Sequence, residues 1–306
     1  MTGRTVRVAV FVAVQLLACR FACAWGHEGH RVIAKIAAKT LSTTARQKVA
    51  AILGTTDAGV DDALADAATW PDEIDKKATA TEAWHFINVP ITKPFATKGL
   101  CPNHNCVIDQ ITAMRTRLAN NAVGFALPVA PVPPRPMTSQ ELAFLVHFVG
   151  DAHQPLHAAT DGDRGGNCVP LATPLTHGDG STTTELHAVW DTDEVLAVLS
   201  ALGGENAAAA TLVQRAATTH VTQSTPRTWA KEAFTLAKSA VYQKLQLPNR
   251  TAPDDACAAG ITAVTITSAY IDANVAAVER QLLRAGIRLS NVLNQICAGN
   301  GCQSNP

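Results

Sequence analysis

The chain has 306 residues, and its 25 Lys and Arg balance its 25 Asp and Glu, so the formal net charge is zero. With 47% hydrophobic residues the composition is that of a globular protein, which excludes a disordered or collagen-like chain. Zero net charge also argues against a polybasic nucleic-acid binder, although a bound metal ion can supply positive charge for a phosphate ligand.

Residues 1–24 are predicted to be a secretory signal peptide. Two arginines precede an apolar run over residues 8–19, and Ala22-Cys23-Ala24 forms a small-residue cleavage site. An anchoring helix is the less favoured alternative because the run is too short to span a bilayer. Cleavage before Trp25 leaves one domain, residues 25–306, with no membrane anchor. Without the leader's three arginines it has 22 basic against 25 acidic residues and a net charge of −3.

The first half of the mature chain shows a helical pattern. Apolar residues recur at helical spacing over 32–37, and a second run over 45–53 ends at Gly54, a typical helix stop. Residues 107–118 mark one apolar helix face. Thr138 and Glu141 form the pattern of a capping box, which predicts the start of the next helix.

The second half continues the pattern. A helix is predicted over 185–200, and Thr225-Pro226 predicts an N-cap followed by proline in the first turn of a helix that runs to about residue 247. Apolar residues then recur on one face over 261–296, with a possible break at Gly286. Alternating strand patterns are nearly absent, so we predict an all-α single domain.

Three segments interrupt the helices. Residues 90–106 are predicted to form a loop, and 162–180 form a second stretch rich in Gly, Asp and Thr. Residues 128–136 are rich in proline, which favours an extended surface connector over a recognition ligand.

Six cysteines remain after cleavage, and an even number in an exported chain favours disulfide bonds. A zinc–thiolate site is less favoured because the mature chain has no C-x2-C pair. Six cysteines allow 15 connectivities. The pairings that we expect are Cys101–Cys106, Cys297–Cys302 and Cys168–Cys257.

Two His/Asp pairs predict metal ligands. His147 and Asp151 are four residues apart, as are His187 and Asp191, so on a helix each pair shares one face. His157 lies just beyond the first pair. Imidazole and carboxylate ligands together suit zinc.

Further candidates lie upstream. For His85, which lies in an apolar setting, the alternative is a buried core histidine. For Asp72 the alternative is a helix N-cap. Cleavage before Trp25 frees an amino group that can bind a metal when neutral, as can the side chain of His30.

Four motifs occur in order: W-G-x-x-G-H from Trp25, W-H-F-I-N from residue 84, H-F-x-G-D-x-H-Q-P-L-H from residue 147, and L-H-x-x-W-D from residue 186. The first begins at Trp25, which is the N-terminal residue after the predicted cleavage. Through these motifs the chain resembles the S1/P1 nuclease family of secreted zinc-dependent enzymes, from Trp25 to about Leu293. The resemblance implies a mainly α-helical domain with a tri-zinc cleft, of the fold shared by P1 nuclease and phospholipase C.

The resemblance also assigns ligands for three Zn²⁺ ions. Asp72, His85, His147 and Asp151 would hold the first zinc, and His157, His187 and Asp191 the second. The amino nitrogen and carbonyl oxygen of Trp25, with His30, would hold the third, and Asp151 would bridge the first and third. His153 has no ligand match and is expected to orient a neighbour; His27, His104, His177 and His220 are expected at the surface.

The implied activity is hydrolysis of single-stranded DNA or RNA at the P–O3′ bond, which gives 5′-phosphorylated products, together with 3′-nucleotidase activity. Zinc lowers the pKa of water and stabilises charge on the phosphoryl oxygens. Asp72 could orient that zinc-activated water, and Phe86 is the candidate for stacking on an unpaired base. We expect a secreted protein, extracellular or periplasmic, that acts as a monomer.

Some positions depart from the family pattern. Glu185 stands where Asn is common, and Asp193 and Asn88 differ from residues that contact phosphate and base in some members. Asp75 replaces a phosphate-contacting Lys of some members. We therefore expect intact metal binding and an altered substrate preference, with Asn88 and Asp193 as substrate-binding candidates.

Two other functions are compatible with these candidate ligands. A zinc-dependent phospholipase C shares the fold, but there the N-terminal Trp and first His are farther apart and the last ligand is usually Glu. Here Trp25 and His30 are five residues apart and the last ligand is Asp191, which favours a nuclease. A non-catalytic zinc-binding protein would use the same ligands without phosphodiesterase activity.

Overall fold

The computed structural model describes residues 25–122, 127–250 and 256–303, and the predicted signal peptide lies outside them. The described chain is mostly helical, which confirms the all-α prediction. The α-helices are α1 Gly26–Thr40, α2 Thr43–Leu53, α3 Val60–Glu73, α4 Val107–Asn120, α5 Met137–Asp151, α6 Pro155–Ala158, α7 Leu186–Ala188, α8 Glu194–Leu202, α9 Glu205–Ala216, α10 Pro226–Leu236, α11 Ser268–Asp272 and α12 Val275–Cys297.

Shorter elements connect these helices. Two π-helices span Val189–Asp193 and Ala237–Gln243, and 3₁₀ turns span Asp57–Gly59, Glu82–His85 and Pro102–His104. Strand β1 (Val89–Pro90) pairs in parallel with β2 (Ala159–Thr160). Strands β3 (Pro170–Thr176) and β4 (Thr182–Glu185) form an antiparallel hairpin.

Helix α1 lies at the centre of the core. It packs against α3, α9 and α12, and α5 packs against α3 and α4. The apolar positions predicted over residues 32–37 are buried. Burial extends to Lys35, whose Nζ lies 2.7 Å from carboxylate oxygens of both Asp62 and Glu205. The helix therefore has no fully solvated face, and it holds His30 deep within the domain.

Several predicted helix ends are confirmed. Gly54 ends α2 in the left-handed conformation. The Thr225 side chain accepts a hydrogen bond from the Thr228 amide at the start of α10, with Pro226 in the first turn. That helix is shorter than predicted, because it changes to the π-helix after Leu236.

The capping box predicted at residue 138 does not form. Helix α5 begins at Met137, and no side-chain cap closes its first turn. Glu141 is buried, and it accepts a 2.8 Å hydrogen bond from Arg117 Nε of α4. The Glu141 carboxylate, which the sequence pattern predicted would cap α5, thus forms an ion pair with another helix instead.

The predicted break at Gly286 is also wrong, because α12 continues through it. A Cβ at this position would lie 2.4 Å from Ile36 Cγ2, so the missing side chain lets α12 approach α1 closely. The start of α12 at residue 275 is later than the predicted 261, and the intervening residues form α11 and irregular chain.

The stretch rich in Gly, Asp and Thr over residues 162–180, predicted to interrupt the helices, contains strand β3 of the hairpin. The helix predicted from residue 185 begins at Leu186, becomes a π-helix at Val189 and ends at Leu202. Residues 128–136 contain no regular element, in line with an extended connector, and Trp70 Nε1 donates to the Pro133 carbonyl.

The three predicted disulfide bonds are present: Cys101–Cys106, Cys168–Cys257 and Cys297–Cys302. The second joins the loop before β3 to the segment after residue 255. Within the described ranges, no single helix is both long and apolar enough to cross a membrane. One pair, Leu186–Leu202 with Glu205–Ala216, meets that test only together and is bent by 79°.

Candidate metal centre

All nine predicted ligand residues lie in one buried region, although they come from seven elements. Helix α1 carries His30, α3 ends beside Asp72, and a 3₁₀ turn carries His85. Helix α5 provides His147 and Asp151, and the remaining ligands lie on α6, α7 and the π-helix that follows. Three groups of potential ligand atoms form: His30–His147–Asp151, Asp72–His85–His147, and His157–His187–Asp191.

Asp151 connects the first two groups through its two oxygens. Oδ2 lies 3.0 Å from His85 Nδ1 and 3.3 Å from His147 Nε2. Oδ1 lies 3.3 Å from His30 Nε2 on the other side. Burial disfavours the Asp151 carboxylate, but attraction to His147 and hydrogen bonds to neighbouring histidines outweigh it and hold its pKa well below the ordinary value. Asp151 is therefore an anion placed between two clusters of imidazoles.

Asp72 joins the cluster of His85 and His147. It lies in the last turn of α3, so the alternative that it is a helix N-cap is wrong. Its Oδ1 lies 3.6 Å from His147 Nε2 and 3.7 Å from His85 Nδ1. Lys76 Nζ donates to the same oxygen at 2.9 Å. Burial opposes ionisation of Asp72, but the positive partners, His147 first, lower its pKa.

Three backbone carbonyls orient three of the histidines. The Nδ1–H groups of His147, His157 and His187 donate to the carbonyls of Ala68, His85 and Gly165 at 2.7, 2.6 and 2.6 Å. Each donation fixes the tautomer, so the lone pair of the neutral ring lies on Nε2. All three Nε2 atoms face carboxylates or another imidazole.

In the group around His157, two of these Nε2 atoms face each other. His157 Nε2 and His187 Nε2 are 3.2 Å apart, and Asp191 Oδ2 lies 3.2 Å from His187 Nε2. Both rings already use their N–H at Nδ1, so two lone pairs face each other. That arrangement requires a shared proton or a cation. Burial lowers the pKa of His157, whereas for His187 burial is outweighed by the attraction of Asp191, which raises the pKa, so a shared proton would reside on His187.

Several of the buried polar atoms that have no hydrogen-bond partner among the described residues lie in this region. They include both ring nitrogens of His30, His85 Nε2, Asp151 Oδ1 and Asp191 Oδ2. Burial lowers the pKa of His30, and it lowers that of His85 to about 4, so these rings stay neutral near pH 7. For His147 and His187, burial is outweighed by neighbouring carboxylates, which raise the pKa. In their neutral forms these imidazoles, together with the ionised carboxylates, make a donor set that suits zinc.

Trp25 lies at the edge of the same region and is fully buried. Its backbone nitrogen lies 3.1 Å from Asp191 Oδ1, and its indole Nε1 donates to the Gly150 carbonyl at 2.9 Å. The main-chain nitrogen that cleavage would free is therefore placed among the ligand candidates.

The substrate-binding candidates lie in different settings. Phe86 and Asn88 are half-buried and flank the His85 turn, and the Asn88 amide donates to the His157 carbonyl. Asp193 lies against the β3–β4 hairpin, 3.8 Å from His177 Nε2. Burial raises the pKa of Asp193.

The structure also shows the contacts of Asp75 and Glu185, two residues that depart from the family pattern. The Asp75 carboxylate accepts from the Lys77 and Ala78 amides and stabilises a turn. Lys76, the next residue, brings an amino group to Asp72. Glu185 is half-buried at the end of β4 and accepts from the Thr184 hydroxyl at 2.6 Å.

The other histidines differ from this group. His153 is buried, donates from Nδ1 to the Val149 carbonyl, and accepts from Arg288 Nη1 at 2.9 Å. It thus orients an arginine and not a ligand side chain. His27, His104 and His220 are exposed, as predicted, whereas His177 is half-buried. Cys101, Cys106 and Asp109 also lie together, but their sulfurs form a disulfide and offer no thiolate.

The backbone carbonyls and the lysine that contact the candidate ligand side chains were not identified from the sequence. The carbonyls of Ala68, His85 and Gly165 carry no side-chain signal, so only the folded chain reveals them. Lys76 was detectable, because it follows Asp72 by four residues and Lys/Asp pairs at that spacing meet on a helix face.

Comparison with known proteins identifies what this chain is similar to. The model of the S1/P1 Nuclease family matches residues 25–298. Endonuclease 3 of Arabidopsis thaliana is 26% identical over 310 residues, which cover 94% of each chain. Nuclease P1 of Penicillium citrinum is 26% identical over 297 residues, covering 89% of this chain and 97% of its own. Nuclease S1 of Aspergillus oryzae is 27% identical over 194 residues, covering 61% and 60%.

Proposed function

Because the chain belongs to the S1/P1 nuclease family and is a hydrolase of phosphodiester bonds, we propose that it cleaves single-stranded DNA or RNA with three zinc ions bound in the centre described above. The proposal includes cleavage at the P–O3′ bond to give 5′-phosphorylated products, and removal of phosphate from 3′-nucleotides. The chain covers nearly the full length of Nuclease P1 and of Endonuclease 3.

One observation carries the proposal: Asp151 presents a different oxygen to each of two histidine groups. A carboxylate in that position can join two cations, and the unpartnered buried atoms around it fit a metal in chemistry and in charge.

The proposed ligand sets follow the three groups. Asp72, His85, His147 and Asp151 hold the first ion, and His157, His187 and Asp191 hold the second. The Trp25 amino nitrogen and carbonyl oxygen and His30 hold the third, with Asp151 bridging the first and third. The family match begins at Trp25, the residue that the predicted cleavage would expose.

Bound zinc supplies Lewis acidity and lowers the pKa of water, as in other metal-dependent hydrolases. The protein contributes orientation. Asp72 Oδ1, beside the first group, can accept a hydrogen bond from the attacking water and direct it at phosphorus. The Lys76 amino group donates to the same oxygen and adds positive charge beside the first ligand group.

The half-buried Phe86 ring and Asn88 are the proposed base contacts. An unpaired base can leave its strand and stack on an aromatic ring, whereas a stacked duplex cannot reach a buried centre. We further propose that the protein is exported, consistent with its three disulfides, and acts as a monomer.

A substrate panel tests this function. The mature, zinc-loaded protein is assayed on single-stranded DNA, duplex DNA, RNA, a 3′-nucleotide and phosphatidylcholine. We expect 5′-phosphorylated products from single strands and phosphate from the 3′-nucleotide. Hydrolysis of phosphatidylcholine without hydrolysis of single-stranded DNA would identify a phospholipase instead. Tight zinc binding with no hydrolysis of any substrate would identify a zinc-binding protein.

A further inference from the structure

Gln154 is a fully buried glutamine that contacts Asp191 of the second ligand group and the backbone next to His157. It lies in the turn between α5 and α6, after Asp151 and before His157. Its Nε2 donates to Asp191 Oδ1 at 2.5 Å, and its Oε1 accepts from the Leu156 amide. Both ends of the amide are therefore used within one small region.

The first contact determines which oxygen of Asp191 is available. Oδ1 accepts from Gln154 Nε2 and lies 3.1 Å from the Trp25 nitrogen. Oδ2 is buried without a hydrogen-bond partner, 3.2 Å from His187 Nε2. With one oxygen held, the carboxylate cannot rotate, and the other stays directed at the histidines.

The second contact stabilises the turn that carries His157. Pro155 has no N–H, so the Leu156 amide is the first donor of α6, and the Gln154 side chain caps it. The His157 amide follows and donates to the Gln154 carbonyl at 3.2 Å. The ring of His157 then reaches the His85 carbonyl through Nδ1.

We propose that Gln154 is a positioning residue for the second zinc ion: its side-chain amide orients Asp191 and His157 together and thereby sets the affinity for that ion. The inference rests on the proposed function, because it assumes the ligand set His157, His187 and Asp191. Gln154 itself does not touch the ion.

Zinc affinity of substituted proteins tests the proposal. Metal-free mature protein is titrated with zinc against a competing chromogenic chelator, and the ions bound per chain are counted. Gln154→Leu removes both contacts. Gln154→Glu keeps the acceptor for the Leu156 amide and replaces only the N–H donor toward Asp191. We expect both variants to bind one ion about 10- to 100-fold more weakly and the others as in the wild type.

Gln281→Leu is the matched control. Gln281 is also buried, and its Nε2 donates to the backbone carbonyl of His153 and not to a ligand side chain. It should lose stability and keep every zinc affinity. His187→Ala identifies the affected ion, because adding Gln154→Leu to it should weaken neither remaining ion.

The measured zinc affinities distinguish failure of the positioning role from failure of the proposed function. Wild-type zinc affinities in both Gln154 variants would overturn the positioning role and leave the proposed function intact. Equal weakening in Gln281→Leu would attribute the effect to general destabilisation and would also overturn the role. A wild-type protein that binds no zinc would refute the proposed function, and the role of Gln154 with it.

Discussion

Gly165 offers a sharp test of how the protein positions His187. Its carbonyl accepts from His187 Nδ1 at 2.6 Å, and its φ of +61° lies in the left-handed region. A Cβ at this position would lie 2.2 Å from the Leu156 carbonyl oxygen. Gly165→Ala should therefore strain the backbone and displace the carbonyl that fixes the His187 tautomer.

The expected magnitude follows from a matched glycine. Gly180, at φ +82°, would place a Cβ in open space, so Gly180→Ala should cost only the left-handed conformation, about 1–2 kcal/mol. Gly165→Ala should cost that amount plus the steric overlap, which adds about 1–3 kcal/mol when a packed region must shift. Only the Gly165 variant should also weaken zinc binding.

Chemical denaturation measures the free energy of unfolding of both variants, and chelator competition measures their zinc affinities. We expect the Gly165 variant to be the less stable and to bind one zinc ion more weakly. Equal stabilities of the two variants would refute the predicted steric overlap at Gly165. Unchanged zinc affinity in Gly165→Ala would refute the role of its carbonyl.

Three further predictions concern other parts of the protein. Asp151→Asn should weaken zinc binding and reduce single-strand cleavage by more than the roughly 100-fold that loss of a ligand's hydrogen-bond partner can cost; wild-type rates would disprove the bridging role. One extra residue before Trp25 should remove one zinc ion per chain by metal analysis, because an amide nitrogen has no available lone pair; a fully loaded, active extended protein would refute this. Burial raises the pKa of Glu194 from 4.5 to about 8. Its stabilising effect is therefore complete in acid and is lost as the pH rises from 4.5 to about 8, by roughly 1.4 kcal/mol per pH unit. Glu194→Gln should become more stable relative to the wild type over that range, measured by the free energy of unfolding; a pH-independent difference would show that Glu194 is ionised in the folded protein.

Local signals predicted much of the fold. The Gly54 stop and the Thr225 cap depend on one or two neighbouring residues, so the sequence displays them directly. The capping box failed because Glu141 finds Arg117 on another helix, and the break at Gly286 failed because the glycine accommodates Ile36. Long-range packing decides both cases, and local patterns do not contain it.

The same division applies to the candidate site. Two pairs of candidate ligands could be named in advance because His and Asp at i, i+4 spacing are a local feature, as with His187 and Asp191. The full candidate set came from the resemblance to the family. The groups that orient these side chains could not be named in advance. Gly165 acts through its backbone carbonyl and Gln154 through its side-chain amide, and only the fold brings them to His187 and Asp191. Even the local spacing is modified, since a π-helix carries Asp191.

The most direct test of the three-zinc nuclease is the rate of single-stranded DNA cleavage as metal-free mature protein is loaded with zinc. We predict no cleavage without zinc, a rise as zinc is added, and a plateau at three zinc ions per chain, with 5′-phosphorylated products. Cleavage that is independent of zinc, or no cleavage at three bound ions, would contradict this prediction.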